Sequence, residues 1–99
     1  LNRLKKQKDI EYREHRKQVA FSYLDSAQDY INEGNLDKAI NLYQEAGNIF
    51  AEIQWVDEIP LIMESIKELE QRKKEKDESE REKIRKEIET ILEKIINRT

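Results

Sequence analysis

Two glycines and one proline are the only strong chain breakers in 99 residues, so the backbone has few places to turn and long helices are the default. Gly34 is followed by Asn35 and lies between two apolar patterns of helical spacing. With no Cβ, glycine takes the left-handed conformation that ends a helix, and an asparagine after it caps the next one. A tight helix–turn–helix is expected there.

Before the turn, Val19, Ala20, Tyr23, Leu24, Ala27, Tyr30 and Ile31 recur at intervals of three and four and lay one stripe along a helix. Upstream of them the segment LNRLKKQKDIEYREHRKQ has good helix formers but few apolar anchors, at Leu1, Leu4, Ile10 and Tyr12. Its helicity is expected to depend on a neighbour, and it is expected to project. After the turn, Leu36, Ala39, Ile40, Leu42, Tyr43, Ala46, Ile49, Phe50 and Ile53 form the second stripe. The small residues Ala39, Ala46 and Gly47 suit a close helix approach.

Pro60 fits the first turn of a third helix, with Asp57 as its expected N-cap. Ile59, Ile62, Met63, Ile66 and Leu69 carry that helix until the run EQRKKEKDESEREK, which has no apolar residue over its fourteen positions. Continued as heptads, the stripe predicts anchors at 73, 76, 80 and 83, whereas Ile84, Ile88, Ile91, Leu92, Ile95 and Ile96 resume out of that register. The offset, with Ser79 and Glu82 spaced as a capping box, predicts a turn near 76–79. Against it, the run holds only helix-compatible residues with many charge pairs four apart. The expected organisation is a charged helical extension over 1–18, a helical hairpin over 19–56 and C-terminal helices over 57–99.

Charge narrows the function classes. Nineteen Lys and Arg against twenty-two Asp and Glu give a net charge of −3, with charged residues at 41%. The two signs are interleaved, so there is no phosphate-tracking surface and nucleic acid is not an expected partner. No cysteine is present, which removes disulfides and thiolate zinc sites from the list. No apolar run approaches the length of a bilayer crossing, and stable membrane insertion is not expected. The basic start with Arg3, Lys5, Lys6 and Lys8 reads as a solvated helix end, because a membrane anchor needs a wider apolar face than Leu1, Leu4 and Ile10 supply. The expected location is the cytoplasm, and the opening on Leu1 makes a segment of a longer protein the expectation.

The span from Tyr23 to Ala51 resembles a tetratricopeptide repeat, a helix–turn–helix of about 34 residues. Tyr23 stands at the opening aromatic, Ala27 at a small position, Tyr30 at the next aromatic and Gly34 at the turn. Ala39, Tyr43 and Ala46 match the small, aromatic and small residues of the second helix, while Ala51 stands where the family has proline. One such unit cannot bury its own faces. The resemblance therefore implies an all-α fold in which two further helices complete a small bundle or solenoid end, or in which the C-terminus pairs as a coiled coil. It also implies a non-enzymatic protein-binding or scaffold role, with Phe21, Leu24, Gln28, Ile31 and Asn32 on the ligand-facing side. Leu24 and Gln28 occupy two of the places where carboxylate-clamping members have basic residues and asparagine, so a chaperone-tail clamp is not implied. The bland reading, in which Leu24 and Ile31 simply pack within the fold, is slightly preferred for those two.

LDKAINLYQEAGNIF is also similar to the second helix of the microtubule-interacting and transport domain, a three-helix bundle that grips short helical tails of membrane-remodelling proteins. That is the alternative reading. A third is self-association through Ile84, Ile88, Ile91 and Ile95. No catalytic, cofactor or metal residues are assigned: His15 is a lone histidine among charges, and pairs such as Glu68 and Glu70 read as solvated. Trp55, at the end of an apolar stripe, is expected in the core. The expected partner is a protein or peptide, or another copy of the chain.

Overall fold

In a computed structural model the chain forms three helices, α1 (Asn2–Asn32), α2 (Leu36–Glu52) and α3 (Ile59–Asn97), with no strand among the described residues. The structure describes residues 2–98, and side chains from Lys6 onward. Leu1 and the side chains of Arg3, Leu4 and Lys5 lie outside the described residues. The fold is all-α.

The first turn forms for the reasons given by its sequence. Gly34 adopts φ +80°, its N–H bonds the carbonyl of Ile31 at 3.0 Å, and the Asn35 N–H bonds that of Tyr30 at 2.8 Å. These are the two bonds of a Schellman cap. The Asn35 side chain then accepts from the Lys38 N–H at 3.3 Å and caps α2. The second turn repeats the device without a glycine. Gln54 takes φ 61°, its N–H bonds Ala51 at 3.1 Å, and the Trp55 N–H bonds Phe50 at 2.8 Å.

Four alanines set the hairpin register. Ala27 and Ala39 share one core cluster and Ala20 and Ala46 the other; each pair lies symmetrically about residue 33. All four are fully buried, so the α1 and α2 backbones approach closely. Phe50, the one large side chain with no exposed surface among the described residues, fills the first cluster beside Ile49, Ile53 and Ile62. Leu69 closes the second against Ile40. The central helix is thus α2, and both α1 and α3 pack on it.

Gly47 faces Ile62, whose Cγ2 would lie 3.5 Å from an added Cβ, an ordinary contact distance. The close approach expected there does not require glycine. Because glycine inside a helix costs about 1 kcal/mol relative to alanine, Gly47→Ala is expected to raise unfolding stability by about 0.5–1 kcal/mol in urea titration. A loss of stability would mean that Ile62 cannot accommodate the methyl group.

Three expectations need correction. Residues 76–79 are helical, so 57–99 holds one long helix where two were expected. Ile84 follows Ile66 by 18 residues, and at about 3.6 residues per turn that is five whole turns. The two stripes are misaligned as heptads but share a face on a straight helix, and the run between them contains nothing that stops a helix. Secondly, α3 begins with Glu58 at its cap position and no side-chain cap bond, so Asp57 does not cap it. Thirdly, Trp55 is 37% exposed: the chain reverses before it, and the Lys17 ammonium covers its ring at 4.6 Å.

The result is a rod. Its extents are 90 × 20 × 15 Å and its radius of gyration is 22.6 Å, against about 13 Å for a compact chain of this length. The N-terminal third of α1 overhangs one end of the hairpin. At the other, Leu69 is the last buried residue of α3, and the 28 residues from there to Asn97 extend about 42 Å at 1.5 Å each.

Candidate interaction surfaces

Since α1 and α3 both lie on α2, a depression of about 220 Å³ runs between them. Gln28 and Ile31 of α1, Tyr43 of α2, and Ser65, Leu69 and Arg72 of α3 line it. The Gln28 amide donates to Asn32 Oδ1 at 3.2 Å, and Arg72 pairs with Glu68 at 2.9 Å. Two of the five residues expected on a ligand-facing side therefore meet at one groove, and Asn32 holds one of them. The other two serve packing. Phe21 sets its ring edge-on to Phe50 at 5.1 Å between centroids, and Leu24 is half-buried against the first core cluster.

The open end of the hairpin carries a polar clasp. Tyr12 Oη donates to Glu52 Oε1 at 2.9 Å, and Arg16 reaches Glu52 Oε2 at 3.5 Å. The bond to Glu52 holds the Tyr12 phenol above its ordinary value, with the carboxylate charge adding to it. Across the molecule, beside the α1–α2 turn, Lys73 Nζ lies 2.6 Å from Asp37 Oδ1. That bond, then the Asp37 charge, raises the Lys73 ammonium. Both shifts favour the protonated donor, so while the carboxylates are ionised the stability these two groups contribute is present below their unfolded values and is lost as pH rises through the folded ones. Their exposure keeps their contribution to stability small.

The third surface is the far part of α3. Lys76, Asp77 and Glu80 still border the α1–α2 turn, but every described residue of α3 beyond Leu69 is exposed. Among them Ile84, Ile88, Ile91, Leu92 and Ile95 each leave more than half of their surface in water. At about 100° per residue the four isoleucines fall within about 60° of one another around the helix. This stripe was legible as an apolar pattern; that nothing in the described residues covers it was not, because coverage depends on the missing turn.

Among the described residues no group of three or more His, Asp or Glu is placed to hold a metal, and no helix is long and apolar enough to cross a membrane. No family model, curated protein or solved structure matches the chain.

Proposed function

We propose that this chain is a non-enzymatic interaction module, a tetratricopeptide-like hairpin whose long third helix presents an apolar face to a protein partner or to another copy. The observation that carries the reading is the α3 stripe: large side chains more than half exposed on consecutive turns of one helix. Contiguous apolar patches of this kind mark interaction sites, and the same helix buries its equivalent face against α2 upstream. The alanine register and the Gly34 turn support the repeat-like reading of the hairpin.

The test is solution mass over a range of concentration, for the native chain and for Ile88→Glu combined with Ile95→Glu. Association is expected for the native chain, falling at least tenfold in affinity in the variant while helical content stays near native, because both positions lie outside the core. If the native chain stays monomeric, the stripe is left for a different protein.

The groove between α1 and α3 favours a second reading, the gripping of a short helical segment in the manner of a microtubule-interacting and transport domain. Titration with amphipathic helical peptides, followed by NMR, is expected to move the resonances of Ile31, Tyr43 and Ser65. Shifts confined to 84–95 would assign peptide binding to the α3 stripe instead.

A further inference from the structure

We infer that the occupant of the α3 stripe is the same stripe of a second copy, paired antiparallel, with Ile84 opposite Ile95 and Ile88 opposite Ile91. This rests on the interaction-module reading and adds the partner, the direction and the register.

Direction follows from the hairpin. The buried residues Ile62, Ile66 and Leu69 and the exposed isoleucines occupy nearly the same side of α3, because Ile66 and Ile84 are five turns apart. In a parallel pair both hairpins would lie at one end, each with its α2 on the face that the seam must continue along. In an antiparallel pair they lie at opposite ends. The proposed register overlaps residues 81–98 of each copy, and that overlap begins just past Glu80, where α3 leaves the α1–α2 turn.

Charge agrees. With the isoleucines as the core positions of a helix pair, Glu87 and Lys94 flank the seam on one side, and flanking charges set orientation in such pairs. The antiparallel register places Glu87 of each copy beside Lys94 of the other, twice. Neither residue takes part in an ion pair of the described residues. On the other flank, Leu92 falls opposite the stem of Arg85, which covers apolar surface while its head stays in water. The parallel register sets Glu87 against Leu92 and offers only Glu80 with Arg85, a residue already 3.6 Å from Glu89 in its own helix. A seam of four isoleucine layers covers less than the roughly 800 Å² per partner of a typical stable interface, so the pair is a weak one that forms by mass action.

The test uses the full chain and charge reversal. Glu87→Lys alone and Lys94→Glu alone are each expected to weaken self-association about tenfold in sedimentation equilibrium, since each creates two like-charge contacts. An equimolar mixture of the two single variants restores both opposite-charge contacts and is expected to associate like the native chain. Direction is read independently from cysteines, which the chain otherwise lacks. Under mild oxidation, Ile84→Cys mixed with Ile95→Cys is expected to give the mixed disulfide, with little of either homodimer. Crosslinking of Ile84→Cys with itself, or charge reversals without effect on a native chain that does associate, would overturn the register while leaving the interaction reading intact. A native chain that stays monomeric would overturn the self-pairing itself, and peptide titration of the groove would then test the broader reading separately.

Discussion

Phe50→Ala is expected to lower the thermal midpoint of the hairpin by about 20–40 °C, followed as loss of circular dichroism at 222 nm. Truncating a buried phenylalanine costs about 3–5 kcal/mol, and in a domain of this size each kcal/mol moves the midpoint by about 4–8 °C. The effect falls at the large end because so little else holds the fold. The fully enclosed side chains of the core are otherwise alanines, and Phe50 shares its cluster with Ala20 of α1 and Ile62 of α3. One truncation therefore loosens both helices that dock on α2. Phe21→Ala is the control: the two rings touch edge-on, but Phe21 is 37% exposed, so its loss should cost much less. Equal effects would show that the cluster is not organised around Phe50.

The second large effect is expected in hydrogen exchange. At low concentration, amides of α2 around Tyr43–Phe50 and of α3 around Ile62–Leu69 should exchange about a thousandfold or more slowly than those of residues 80–97, because only the former require global opening. From Lys83 onward α3 has helix-forming residues and pairs such as Arg85 with Glu89, but every described residue of it is exposed. In proteins most helical stability comes from tertiary packing of one face, which this segment lacks. The boundary of protection should thus fall inside one unbroken helix, between Leu69 and Asp77. Raising the concentration should extend protection into 84–97 as copies pair. Uniform protection at high dilution would mean that the distal helix is held by something other than pairing.

Some of this architecture was readable because single residues dictate it. Gly34 and Asn35 supply a positive φ and a side-chain acceptor, and the structure uses both. The second turn uses the same hydrogen bonds, but at Gln54, a residue that carries no signal for the left-handed region. The long α3 was obscured by the choice of period. A heptad frame describes helices that already have a supercoiling partner, whereas a straight helix keeps its faces in step every 18 residues. Of the five residues that the repeat resemblance set on a ligand-facing side, Gln28 and Ile31 border the groove, and Ile31 also packs on the second core cluster. Leu24 packs on the first core cluster, as the preferred reading had it; the packing of Phe21 was not legible, because the same pattern serves a helix that lines a groove and one that seals a core. The exposure of Trp55 carries no local signal, since the cation over its ring comes from Lys17, distant in sequence.

The five-turn interval in α3 makes the charged run between its two apolar stretches a clocking device. Exchanging one helix-forming residue for another at most of its exposed positions leaves the isoleucines aimed where they were. Adding or removing a single residue turns them by about 100° relative to the hairpin and shifts them by about 1.5 Å. The segment thus tolerates spelling changes but not changes of length, and its fourteen residues encode an angle more than a surface.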